Sequence, residues 1–262
     1  TKNTQRNDPV LSGETGRFNF TALARRTYTL RAEALRGSAR AEVRGVVLGS
    51  DVKLQVLPLA ELTGVVRASG TPVTRYELQA RRSGSFSRDG DATDHPGGTF
   101  SLDHLDPGEY TITITADPGV LEHTVTLAAG AHHAPTLDLQ PWGKLRGILL
   151  DRRSGAPISG AVMIAENKGF FSGGDFLGTM LGKGPRTAAD GRFELARVAP
   201  GEGTVRFTDS DLTDNDGIAE AKYELDPGQD IDLGTIHGVD QARAHERRGE
   251  RDETLRRKRR QR

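Results

Sequence analysis

Residues 97–110 read GGTFSLDHLDPGEY and residues 190–203 read DGRFELARVAPGEG, so the chain spells one pattern twice. Aligning Phe100 with Phe193 also aligns Gly98 with Gly191, Leu102 with Leu195, Leu105 with Val198, and Pro107-Gly108 with Pro200-Gly201. This internal repeat is the tightest constraint on the fold, because each copy has to be one compact unit. Short alternating stretches surround it: TITIT at 111–115, TVTL at 124–127, RFEL at 192–195 and TVRF at 204–207. A period of two built from Thr, Val, Ile and Phe marks half-buried strands, and frequent Gly, Pro, Asp and Asn between them mark tight turns. The expected fold is all-β, tandem β-sandwiches of immunoglobulin-like type. Pro-Gly at 107–108 and 200–201 suits a turn, with Pro presetting φ and Gly accepting a positive one.

The repeat also has an opening. ELTGVV at 61–66 followed by GTPV at 70–73 corresponds to KLRGIL at 144–149 followed by GAPI at 155–158. Gly64 precedes Phe100 by 36 residues and Gly147 precedes Phe193 by 46, so the last unit carries about ten more residues. They are expected in a loop, since loops tolerate insertion, and the candidate is NKGFFSGGDFLGTMLGKGP, residues 167–185. A first copy shows only its second half. Gly16, Phe18, Phe20, Leu23 and Tyr28 fall at the offsets of Gly98, Phe100, Leu102, Leu105 and Tyr110, with Arg25-Arg26 in place of Pro-Gly. The expected organisation is a partial sandwich over 1–58, full units over 59–141 and 142–238, and a charged tail over 239–262.

The pattern Leu-x-Gly-x-Val, Gly-x-Pro-Val, then Asp-Gly-x-Phe-x-Leu and Leu-x-Pro-Gly-x-Tyr resembles the carboxypeptidase regulatory-like domain, a transthyretin-like β-sandwich common in bacterial envelope and secreted proteins. The resemblance covers residues 59–238 as two units and 10–58 as a partial one, and departs at Gly203, where Tyr is expected. It implies an accessory module rather than a catalyst, in a periplasmic, cell-surface or secreted setting. Its implied partners are neighbouring domains of the same polypeptide, other envelope proteins or glycans. Fold by itself leaves the function open.

At 262 residues the chain has length for roughly two domains. Its 36 basic and 36 acidic residues balance, but residues 239–262 hold ten Arg or Lys against five Asp or Glu. The tail is therefore +5 and the body −5, which gives the body no electrostatic footprint for nucleic acid. The tail's mixed charges are read as a solvated linker or a frayed helix, without the apolar stripe a membrane-surface helix needs. No apolar run reaches the ~20 residues of a transmembrane helix, and the opening TKNTQRNDP lacks a signal-peptide core. The absence of Cys excludes disulfides, thiol catalysis and thiolate metal sites.

Chemistry-bearing motifs are few. Asp209, Asp211, Asp214 and Asp216 lie within DSDLTDNDG, where dense oxygen ligands could hold Ca²⁺, although the EF-hand spacing fails because Tyr223 stands where its bidentate Glu belongs. Asp and Asn are equally ordinary turn formers, and a solvated turn is the preferred reading. His95, His104, His123, His132 and His133 cluster in one unit, yet adjacent strand residues point to opposite faces, so His132 and His133 do not naturally share a metal. GKGP at 182–185 lacks the first Gly and the Ser or Thr of a phosphate loop, and HExxH and GxSxG are absent. Trp142, at the junction of the two full units, could stack on a sugar; packing between domains is preferred. Phe170, Phe171 and Phe176 crowd a glycine-rich stretch as candidate ligand contacts, or FLGTML at 176–181 folds as a short lid over the adjoining core. The expectation is a non-catalytic structural or interaction module of a larger envelope or secreted protein. A carbohydrate-binding module and an accessory segment of a peptidase are the alternatives.

Overall fold

The computed structural model describes residues 8–82, 93–167, 170–172, 184–208 and 217–239, and they are almost entirely strand and turn. By compactness the chain divides into Thr1–Leu62 with Leu102–Gly108 and Leu127–His133, and Thr63–Ser101 with Glu109–Thr126 and Ala134–Arg262. In the first of these, β1 (Tyr28–Glu33), β2 (Ala39–Val46) and β3 (Leu57–Pro58) form an antiparallel sheet in that order. Leu30 pairs with Val43 and Ala32 with Ala41, so the apolar residues of both strands share one face. On the strands' other residues, Glu42 accepts from Arg44 and Arg31, and these bonds hold its carboxyl below the usual carboxylate range.

The next strands are β4 (Ala60–Ala68), β5 (Thr71–Pro72), β6 (Arg75–Arg82), β7 (Thr93–Asp94), β8 (Thr99–Leu105), β9 (Gly108–Ala116), β10 (Gly119–Leu127), β11 (His132–His133), β12 (Thr136–Asp138) and β13 (Gln140–Pro141). One sheet is centred on β4, which pairs β8 and runs parallel to β11 and β12; the other has the order β13-β10-β9-β6-β7. The TITIT alternation does what its period demands: Ile112 and Ile114 are buried and Thr111 and Thr113 are only half-buried.

The remaining strands are β14 (Gly143–Asp151), β15 (Val162–Asn167), β16 (Phe170–Ser172), β17 (Arg192–Val198), β18 (Gly201–Thr208), β19 (Ala219–Leu225) and β20 (Asp230–Gly238). Their sheets are β17-β14-β20 and β16-β15-β18-β19, with β14 antiparallel to β17 and parallel to β20. The β4 sheet has the same plan: in each, the opening strand, β4 or β14, pairs with the strand that carries the repeat's Phe and runs parallel to later strands, β11 and β12 in one and β20 in the other. Leu145, Leu149, Phe193 and Leu195 from one sheet meet Met163, Val205, Phe207 and Leu225 from the other in a single core.

The repeated glycines have separate physical causes. A Cβ on Gly64 would stand 2.6 Å from the ring of Phe100, and one on Gly147 would stand 2.8 Å from the ring of Phe193. Only hydrogen leaves room for those rings. Gly98 and Gly191 sit at φ +73° and +77°, where a Cβ would also press on the carbonyls of Val66 and Leu149. Gly203, the break in the pattern, is paired across the ladder with Tyr223, whose ring fills the space a side chain at 203 would need. The last unit has moved its tyrosine from one strand of the hairpin to the other.

The insertion is not all loop. Phe170–Ser172 forms β16 and runs antiparallel to β15, Asn167 pairing with Phe170 and Ala165 with Ser172. A β-rich FFS tripeptide has an unpaired strand edge beside it, so its first residues extend the sheet instead of leaving it. FLGTML and the charged tail lie outside the described residues.

Candidate functional site

Trp142 lies between β13 and β14, where the chain passes from one sandwich to the next. β13 folds back on the start of β10, Gly119 pairing with Pro141 and Val120 with Gln140. Gly119 is necessary here because the Gln140 carbonyl occupies the place of a side chain. The amide of Gly228 donates to the Pro141 carbonyl at 3.1 Å, and that of Lys144 to Gln229 at 2.9 Å, so the connection is hydrogen-bonded on both sides.

Those bonds hold Trp142 half-buried, with its Nε1–H donating to the Ala116 carbonyl at 2.8 Å. Arg197, next to last in β17, has a left-handed backbone, φ +60°, and its guanidinium lies 5.3 Å from the indole centroid. The same guanidinium donates to Asp117 at 3.1 Å and to the Ala116 carbonyl at 3.3 Å. One arginine thus ties the β9–β10 turn to the indole by a cation–π contact and two hydrogen bonds. Sequence reasoning singled out Trp142 but missed Arg197. At the matching place of the repeat, 93 positions earlier, His104 has the same unusual backbone at φ +58°.

The other named residues do not join this cluster. His132 and His133 are exposed on β11, with His132 Nδ1 3.2 Å from Glu61. His95 stacks on Tyr76 with ring centroids 3.7 Å apart. Burial raises the Tyr76 phenol well above its ordinary value, and its hydroxyl donates to the Gly98 carbonyl. Among the described residues no three His, Asp or Glu side chains stand together as metal ligands. Asp209, Asp211, Asp214, Asp216 and Phe176 lie outside the described residues, and of Phe170 and Phe171 the structure describes the backbone in β16.

One concavity was invisible in the sequence because three strands build it. A groove of about 650 Å³ on the β17-β14-β20 sheet is lined by Arg146, Ile148, Arg192, Glu194, Asp232 and Thr235 among others. Two of its arginines are in exposed ion pairs, Arg146 with Asp232 at 3.4 Å and Arg192 with Asp190 at 3.3 Å. Exposed pairs of this kind contribute little stability.

Fold and junction together define a class: all-β, immunoglobulin-like β-sandwiches joined by a hydrogen-bonded linker. No protein-family pattern matches the chain. No curated protein matches its sequence either. Among solved structures it is similar to the minor pilin GBS52 of Streptococcus agalactiae, at 15% identity over 69% of this chain and 96% of that one, with a TM-score of 0.40. A streptococcal ancillary pilin matches at 12% identity over 77% of this chain and 78% of that one, TM-score 0.34. The shaft pilin SpaA of Lactobacillus rhamnosus GG matches at 12% identity over 70% and 98%, TM-score 0.28. At these identities and scores the likenesses say nothing about what this chain does.

Proposed function

We propose that the chain is a non-catalytic structural module, a string of carboxypeptidase regulatory-like sandwiches that spaces the parts of a larger envelope or secreted protein. The proposed boundaries are 1–58, 59–141, 142–238 and a tail over 239–262, and the setting is periplasmic, cell-surface or secreted. The observation that carries this reading is a junction built twice. Leu57–Pro58 folds onto the start of β2 as Gln140–Pro141 folds onto the start of β10. Gly130 donates to the Pro58 carbonyl at 3.2 Å as Gly228 donates to that of Pro141 at 3.1 Å. A linker hydrogen-bonded in the same way at both passages serves to fix spacing, whereas free linkers are polar and unbonded.

Small-angle scattering and calorimetry on the intact chain and on Trp142→Ala with Arg197→Ala test the proposal. The expected result is a broadened distance distribution and a lower or split melting transition in the double variant. Unchanged scattering and melting, with glycan binding on a broad panel that the substitutions abolish, would replace this reading by a carbohydrate-binding one.

A further inference from the structure

The last sandwich begins and ends on paired strands that point the same way. β14 opens it and β20 closes it, and the two run parallel in one sheet. The chain therefore enters at Gly143, at one end of this ladder, and leaves at Gly238, at the other. Tension along the chain pulls β14 toward its start and β20 toward its end, so it shears the ladder lengthwise and loads its hydrogen bonds together. Strands entered and left at the same end of a ladder, as in an antiparallel hairpin, peel apart one pair at a time instead.

The β14–β20 ladder is suited to that direction of load. Seven residue pairs span it, from Lys144 with Asp230 to Asp151 with Gly238. Backbone bonds continue it at both ends, the Lys144 N–H donating to the Gln229 carbonyl and the Arg152 N–H to that of Gly238, each at 2.9 Å. In the middle β20 carries one residue more than β14: Arg146 pairs with Asp232 and Ile148 with Thr235, so Leu233 and Gly234 both lie opposite Gly147. Gly234 takes φ +67° in this bulge, and its N–H donates to Asp232 Oδ1 at 2.9 Å. Its carbonyl stands 2.7 Å from where a Cβ on Gly147 would be. If β14 slides two residues toward its start, the fully buried Leu149 has to enter that place, which admits no Cβ. The bulge thus keys the two strands against sliding.

The preceding unit has the same topology and a lesser ladder. β4 pairs in parallel with β11 over two residues and with β12 over three. Ala134 and Pro135 interrupt the pairing, and Pro135 has no N–H to contribute. A Cβ on Gly64 would meet the Pro135 carbonyl at 2.8 Å, much as one on Gly147 would meet that of Gly234, so the length and continuity of the ladder are what separate the two units.

We propose that the last sandwich is a force-bearing element of the chain, a shear clamp between β14 and β20 that yields only after the preceding sandwich has given way. The proposal rests on the spacing role argued above, since a module that fixes spacing has to hold it under load. Resistance to pulling is governed by the rate of unfolding along the direction of pull and not by equilibrium stability.

The test is single-molecule force spectroscopy on the intact chain. The sequence has no Cys, so paired substitutions define the points of attachment. Lys144→Cys with His237→Cys pulls the last ladder in shear, and Lys144→Cys with Asp230→Cys pulls the same folded unit open from one end. Glu61→Cys with Asp138→Cys shears the preceding ladder at the equivalent places. All five positions are exposed, and the two pairs in the last unit share Lys144, so their comparison reads the direction of pull. The expected result is a severalfold higher unfolding force for 144–237 than for 144–230, and a higher force for 144–237 than for 61–138. Equal forces in the two directions, or a last unit that yields at or below the force of the preceding one, overturns the proposal. Either result leaves the spacing role standing, because scattering and melting of the Trp142 and Arg197 variants judge it separately, and loss of that role does not lower the 144–237 force.

Discussion

The Phe193 ring lies over Gly147, its Cζ 2.8 Å from where a Cβ on that residue would stand, and the two are partners across the β14–β17 ladder. Gly147→Ala therefore forces the ring, and with it the core it shares with Phe207, to move. Overpacking of this kind typically costs about 1–3 kcal/mol. Urea denaturation of Gly147→Ala should show that loss, and adding Phe193→Leu should recover part of it. A neutral Gly147→Ala variant would refute the packing explanation of the repeat's glycine.

Tyr223 is buried, its hydroxyl has no hydrogen-bond partner, and burial pushes its pKa up to about 12. The neutral phenol is the form the fold accepts. In the unfolded chain it ionises near its ordinary value, about 10. The unfolded state thus releases its proton first, so stability from this group is intact below about pH 10 and is lost as pH rises toward about 12. Tyr223→Phe keeps the ring against Gly203 and removes the unpaired hydroxyl. At neutral pH it should be as stable as the parent or more so, by up to about 1 kcal/mol, and its decline between pH 8 and pH 11.5 should be shallower. A steeper alkaline decline in the variant would contradict this assignment.

Asn167, buried at the end of β15, donates through Nδ2 to the carbonyls of Ala199 and Pro200, while its Oδ1 has no partner. Asn167→Ala leaves two carbonyls near the turn into β18 without that donor, at an expected cost of about 1–3 kcal/mol. Asn167→Asp should do worse, because it exchanges the donor for a charge in a buried place. Thermal melts of both variants check the order.

The brace at the junction gives a coupling rather than a single loss. Trp142→Phe removes the Nε1 donor but keeps an aromatic face, and Arg197→Lys keeps the charge but not the planar fork. In a double-mutant cycle built from Trp142→Ala and Arg197→Ala, the interaction energy should be about 0.5–1 kcal/mol, the size of a partly exposed cation–π contact. Additive losses would mean that the two side chains act separately.

For the Asp209–Asp216 stretch, a solvated turn predicts nearly equal melting temperatures in millimolar calcium and in chelator. A large calcium-dependent rise that disappears with Asp211→Ala and Asp214→Ala would instead establish a site.

The two-residue period of TITIT and RFEL, and the turn glycines between such stretches, decided the strands, because side-chain alternation on an extended backbone is a local geometric fact. Aligning Phe100 with Phe193 and Gly64 with Gly147 was equally legible, and it fixed that one architecture was built twice. What sequence could not supply was anything set by residues far apart in the chain. Why Gly64 and Gly147 recur became plain only when each was found under a ring on the neighbouring strand. Gly203 read as a departure from the pattern until Tyr223, its cross-strand partner, was seen to fill the place. The Gly-Phe-rich insertion read as a loop, but the open edge of β15 drew its first residues into the sheet. Nothing local marks Arg197, and only the fold brings it to Trp142 and Ala116. Phe18 and Leu54 carry strand-like alternation and yet form no strand, because a β-strand is completed by its neighbour's hydrogen bonds and no local sequence can provide those.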